Sequence, residues 1–198
     1  MEDGESMLLV QKSVHDAGLG GFAHTGGFSI NKIGRNECIM QIQDSGKQLS
    51  HDDIAKFEKE LGVSLPEDYK EFMLKNNGGM SELDWGFDFF DVAAEAESSS
   101  MIQEFLVIYD EETYEDDDLK KIYRILRENG EIPPNILPIA DDPSGNLICM
   151  SVAEENYGRI FFCDHELEEQ TTGCMVMSVV ARSFTEFVEN CYELAFEE

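Results

Sequence analysis

Asp164, His165 and Glu166 stand together in "GRIFFCDHE" (158–166), an imidazole flanked by two carboxylates. Such groups serve general acid–base catalysis or bind metals. Their setting argues against both. The apolar run before them fits a strand, where adjacent side chains face opposite ways. Asp164 and Glu166 then share a face without His165, and two carboxylates alone define no site. Asp141 and Asp142 make a second acidic pair, but Pro143, Ser144, Gly145 and Asn146 follow, which is turn chemistry. The other histidines, His15, His24 and His51, are scattered. "GGFAHTGGF" (20–28) repeats Gly-Gly-Phe, yet no Lys-Ser or Lys-Thr follows to hold a phosphate. No catalytic residue, metal ligand or cofactor is assigned.

The densest functional signal is "DEETYEDDD" (110–118), seven acids in nine residues around one tyrosine. Asp110, Glu111, Glu112, Tyr114, Glu115, Asp116, Asp117 and Asp118 form a candidate partner-facing patch. Its carboxylates would mimic phosphate charge around an aromatic anchor. Two other readings stand beside it. The run also fits a solvated loop that caps the next helix. Calcium binding is the third, although the glycine and twelfth-position Glu of an EF-hand loop are missing. Trp85 is the single tryptophan, a residue type favoured at interfaces, but in a chain with 13 Phe its reading is core.

These candidates need elements to hold them. Ser50 is a good N-cap with Asp53 three residues on, Ile54, Phe57 and Leu61 form a stripe, and Gly62 closes a helix. In "GVSLPEDYKEFMLKNNGG" (62–79) Pro66 suits the first helical position. Tyr69, Phe72 and Met73 share a face, and Gly78 and Gly79 supply a left-handed stop. The two helices form a hairpin. "MSELDWGFDFFDV" (80–92) alternates aromatics with acids, as a strand with one buried face does. "EAESSS" (95–100) reads as a loop or the frayed end of a helix. "LKKIYRILREN" (119–129) is a helix capped by the acids before it and stopped by Gly130. Residues 132–152 read as strand, turn, strand, and 158–166 as another strand. "CMVMSVVA" (174–181) fits a strand or a helix entry, and "SFTEFVENCYELAF" (183–196) is the closing helix. The class is α+β: an N-terminal helical hairpin on a largely antiparallel sheet, with further helices in the middle and at the C-terminus.

The chain has 198 residues, 42 Asp and Glu, 14 Lys and Arg, and a formal net charge of −28. Residues 1–50 hold six acids and four bases, so nearly all the excess lies beyond them. Such a surface repels nucleic acid and anionic membrane and attracts a basic partner. A simply soluble acidic surface is the alternative. The odd cysteine count, Cys38, Cys149, Cys163, Cys174 and Cys191 without close pairs, predicts reduced thiols. The acidic N-terminus, with an apolar stretch of only Met7 to Val10, is expected to be neither signal peptide nor anchor, and no apolar run approaches the roughly 20 residues of a membrane helix. A cytoplasmic protein is expected. Residues 1–47 hold eight of 16 glycines and form an extension that fits a small hairpin, a flexible leader or an appended piece. Within it "ECIMQIQ" (37–43) has strand alternation, with Cys38, Met40 and Ile42 on one face.

Residues 48–198 form one expected domain, and its motifs resemble a known superfamily. "IAKFEKELGVSLPEDYKEFMLKNNGG" (54–79), "ILPIADDPSGNLICMSV" (136–152), "GRIFFCDHE" (158–166) and "SFTEFVENC" (183–191) follow in the order seen in SUKH proteins, whose founders include a yeast regulator of cell-wall synthesis. The resemblance implies a non-enzymatic binding protein. Most bacterial members resemble immunity proteins that neutralise a cognate polymorphic toxin, often a nuclease or nucleic-acid deaminase. The alternative implied is an intracellular interaction scaffold or regulator without a toxin. The expected partner is a toxin with a basic surface, and neither nucleic acid nor membrane is bound directly. Pro66, Tyr69, Phe72, Gly78, Gly79, Gly145 and Asn146 match motif positions whose implied role is scaffold.

Overall fold

The capping and alternation signals meet in a computed structural model that describes residues 30–32, 40–111 and 115–196. In chain order the elements are β1 (Ile30–Lys32), β2 (Ile42–Gln43), α1 (His51–Leu61), α2 (Glu67–Asn76), β3 (Gly79–Asp91), β4 (Ala96–Phe105) and α3 (Leu119–Asn129). Then come β5 (Ile136–Asp141), β6 (Leu147–Ser151), β7 (Ile160–Glu168), β8 (Met175–Ala181), α4 (Phe184–Asn190) and β9 (Tyr192–Phe196). The sheet order is β1-β9-β3-β4-β5-β6-β7-β8, with β2 also pairing β3, and every ladder is antiparallel. The expected α+β class holds.

The helices start and stop for local reasons. Ser50 Oγ accepts from Asp53 N–H while the Asp53 carboxylate accepts from Ser50 N–H, a complete capping box, and Gly62 ends α1 at φ 68°. Pro66 stands one place earlier than expected. It is the N-cap of α2, at φ −58° and ψ 144°, and its ring packs beneath Gly158. The stop of α2 also differs. Asn77, not a glycine, takes the left-handed cap at φ 51°. Gly78 and Gly79 are needed for a second reason, close approach. A Cβ on Gly78 would lie 2.5 Å from Leu106 O, and one on Gly79 would lie 2.6 Å from Gln43 O.

The core lies between the helices and one face of the sheet. Ile54, Phe57, Tyr69 and Met73 come from α1 and α2, and Leu119, Tyr123 and Leu126 from α3, all buried. Phe72 is half-buried and packs its ring 4.8 Å from Phe105 and 5.0 Å from Phe184. Trp85, Phe87 and Phe89 alternate inward along β3, as the sequence predicts. The far end of the β3–β4 hairpin curls back over β7 and β8. There Phe89 stacks on Phe162 at 4.5 Å, and Val92 N–H donates to Ser178 Oγ.

Two expectations change. "EAESSS" is neither loop nor helix: Ala96–Phe105 is a strand, set opposite β3 with Phe87 facing Ser100. The turn before it is made by Asp91, whose carboxylate accepts from Ala93 and Ala94 N–H. The closing helix ends at Asn190. Cys191 is extended, and Tyr192–Phe196 runs back as β9 between β3 and β1. Gly86 of β3 permits this, because Tyr192 and Leu194 lie where its side chain would be. "CMVMSVVA" resolves to strand β8. Of "ECIMQIQ", only Ile42–Gln43 is strand among the described residues, and Cys38 lies outside them.

Candidate partner-binding surface

The acidic run leaves the fold at a pinned neck. Val107 N–H donates to Asp117 O at 2.8 Å, and Leu119 N–H donates to Val107 O at 3.0 Å. The described residues between these bonds, 108–111 and 115–116, run from buried Ile108 to exposed acids. Asp118 is buried and caps α3, accepting from Lys120 and Lys121 N–H. Asp117 is half-buried and accepts from Tyr109 Oη at 3.0 Å. Burial, with that carboxylate second, pushes the Tyr109 phenol up to about 12. Asp110, Glu111, Glu115 and Asp116 are exposed. Asp110 pairs with Lys47 at 2.6 Å and Asp116 with Lys121 at 3.5 Å. Glu112 and Tyr114 lie outside the described residues. Within one run, then, Asp118 caps a helix while Asp110, Glu111, Glu115 and Asp116 lie exposed.

Asn77 holds the neck to the rest of the fold, and sequence reasoning missed it. It is fully buried. Its Nδ2 donates to Lys47 O at 2.8 Å and Ile108 O at 3.1 Å, and its Oδ1 accepts from Ile108 N–H at 3.0 Å. Gly46 N–H donates to its carbonyl. One side chain thereby fixes the segment before α1 against the segment before the acidic loop. The Asn-Asn-Gly-Gly stretch is the signal that could have found it, since asparagine tolerates a left-handed backbone and brings both donor and acceptor.

Acidity extends beyond the loop. Glu104 of β4 sits opposite Asp141 of β5, and Asp141 Oδ1 accepts from Glu104 N–H. Burial, then the Glu104 charge, raises the Asp141 carboxyl to about 7. Burial raises Glu104 too, helped by Asp117 and Asp116. From Asn76 to Leu119 the sequence holds 14 acids and no Lys or Arg. Conversely, eight of the ten bases beyond residue 50 lie on α1, α2 and α3. Several are tied there. Glu58 pairs with Lys70, and Glu60 is approached by Lys120 and Arg124. Lys120 is buried, although the helix periodicity sets it off the apolar face.

The catalytic-looking groups are hydrogen-bonded within the fold. Asp142 is buried and accepts from Ser144 and Asn146 N–H, Asn146 Nδ2 and Ser100 Oγ. Asn146 Oδ1 in turn faces His165 Nδ1 at 2.8 Å. Gly145 completes the turn at φ 87°. The Ser100 hydroxyl therefore serves Asp142 and the His165 ring serves Asn146. Asp164 is buried and accepts from Glu166 N–H, with exposed His165 on the opposite face. Among the described residues, no group of three or more His, Cys, Asp or Glu is placed to hold a metal. Cys149, Cys163 and Cys191 are buried free thiols, and burial pushes Cys191 up to about 12.

A model of the SMI1 / KNR4 family (SUKH-1) matches residues 48–190, from just before α1 through α4. The chain belongs to this family. It is also similar to the SPbeta prophage-derived uncharacterized protein YokK of Bacillus subtilis (strain 168), at 28% identity over 160 residues, 73% of this chain and 77% of that one. The family match runs over both helices of the hairpin, the acidic loop and the Asp142–Asn146 turn. It ends before β9, and β1 and β2 also lie outside it. Among the described residues, no helix is long and apolar enough to cross a membrane.

Proposed function

We propose that this SUKH-1 protein is a non-enzymatic immunity protein. It binds and neutralises a cognate toxin whose basic surface grips nucleic acid, a nuclease or a nucleic-acid deaminase. The observation that carries this reading is charge segregation along the chain: the β3–β4 hairpin and the 110–118 run lie in a stretch without one Lys or Arg, while eight of the ten bases beyond residue 50 lie on the helices.

The physics follows from that segregation. A protein that neutralises phosphates presents Lys and Arg. An acidic face covers those groups, and its field speeds encounter, which an antidote needs. The same field keeps the chain off nucleic acid and anionic membrane. Exposed apolar side chains on the hairpin, Met80, Leu83 and Phe90, add contact area that charge alone lacks. The binding unit is the domain of residues 48–198, and it acts in the cytoplasm. Pro66, Tyr69, Phe72, Gly78, Gly79, Gly145 and Asn146 support the fold rather than touch the partner.

The test is co-expression with the protein encoded beside this gene, where that neighbour carries a basic nucleic-acid-degrading domain. Restored growth, and one-to-one inhibition of the purified toxin, support the reading. Full toxin activity in the presence of the folded chain refutes it and favours a scaffold role.

A further inference from the structure

Beside the neck lies a cleft of about 340 Å³, between the segment entering α1 and the segment entering the acidic loop. Leu49 and Ile108, both buried, form its apolar lining. Asp53, Asp110 and Glu111 bring three carboxylates to it, and Tyr109 adds a ring. Asn77 sets its width, because that side chain bonds Lys47 O on one wall and Ile108 O on the other. The cleft is therefore built by a buried anchor rather than by surface side chains alone.

One cation already serves these carboxylates. Lys47 Nζ lies 2.6 Å from Asp110 Oδ2, yet its side chain is 81% exposed. Its pKa is raised by the Asp110 hydrogen bond and charge, with Asp53 adding a smaller push. An exposed pair of this kind holds weakly. Its side chain stays largely in solvent, so little is lost when another cation takes its place.

We infer that this cleft receives one arginine side chain of the basic partner, which displaces Lys47 from Asp110. The aliphatic stem lies on Leu49 and Ile108, and the planar guanidinium meets the carboxylates of Asp110, Glu111 and Asp53. Arginine suits the place better than lysine. Its fork bonds two carboxylates at once and its head is weakly hydrated, so it enters a partly apolar cleft at lower cost. Lys47 acts as an internal competitor that keeps the carboxylates occupied until the partner arrives. The inference rests on the proposed basic partner and assigns it an anchor.

The test is an amide NMR titration of the full chain with N-acetyl-argininamide, beside its neutral isostere N-acetyl-citrullinamide. Shifts from the arginine probe concentrate at Leu49, Ile108, Tyr109 and Asp110, and the citrulline probe gives none. Lys47→Ala tightens the arginine probe about 2–5-fold, the worth of an exposed ion pair, and Asp110→Asn weakens it by at least as much. Both positions are exposed, so the fold survives and the wild-type spectrum checks it. Shifts spread over the whole acidic surface, or an affinity unmoved by Lys47→Ala, overturn the inference. A toxin bound equally by wild type and Asp110→Asn also overturns it but leaves the proposed function standing. A cleft that takes the probe in a chain that protects against no basic toxin overturns the proposed function instead.

Discussion

Replacing Asn77 by alanine is expected to cost about 3–5 kcal/mol. The substitution removes three side-chain hydrogen bonds, to Lys47 O, Ile108 O and Ile108 N–H. Together they are worth about 2–4 kcal/mol net, towards the upper end because buried Ile108 is left with unpaired backbone groups. The backbone at φ 51° adds about 1 kcal/mol for a residue with a Cβ and no local hydrogen bond. Equilibrium urea unfolding reads the loss as a lower midpoint with an unchanged slope. Asn77→Gly separates the causes: it accepts the left-handed backbone but makes no side-chain bonds, so it recovers about 1 kcal/mol relative to alanine. A loss under about 1 kcal/mol for Asn77→Ala would refute the reasoning, since a buried hub cannot be that cheap to remove.

Other perturbations test other parts. Asp141 binds its proton more tightly in the fold, titrating near 7 against an ordinary value of 3.8. Between those values the folded state holds more protons than the unfolded one, so stability falls as pH rises through this window. The penalty is complete above it and absent below it. Asp141→Asn is expected to flatten this part of the pH–stability curve and to stabilise the protein at pH 8 by about 1–3 kcal/mol, the rise discounted for partial exposure. Gly78→Ala meets Leu106 O and is expected to cost about 2–4 kcal/mol, whereas Gly62→Ala, with the same sign of φ but open space, costs about 1 kcal/mol. Thermal melts of the two variants compare them directly. Phe72→Ala is expected to lose about 2–3 kcal/mol by urea unfolding, less than a fully buried phenylalanine, because its ring is only half-buried against Phe105 and Phe184.

Where the determining contact is local in sequence, the fold was legible. Ser50 with Asp53, Asp118 before α3, and Gly62 and Gly130 mark helix limits within one turn of their own residues. The alternation of Trp85, Phe87 and Phe89 marks β3 in the same way. Where a distant strand decides, legibility failed. Ala96–Phe105 begins Ala-Glu-Ser-Ser-Ser and becomes a strand because β3 pairs with it. Cys191 and Leu194 continue a helical spacing from Phe184, but the open edge of β3 at Gly86 captures them as strand. The candidate surface divides similarly. The acid run was visible as composition. Which of its acids face outward was not, because that depends on the Val107 neck and the Tyr109 hydroxyl. The cleft joins residues 47–53 to residues 108–111, and nothing in either segment announces the other.

The proposed role of the acidic run and the β3–β4 hairpin is to bind a basic toxin. Its most direct measurement is the affinity of the purified chain for that toxin at low and high salt, for wild type and for a variant with Asp110, Glu111, Glu115 and Asp116 changed to their amides. Wild type is expected to bind tightly at low salt and markedly more weakly at high salt, and the variant to bind weakly with a flatter salt dependence. Equal affinity for variant and wild type at both salts would contradict it and leave the net charge of −28 as a soluble surface only.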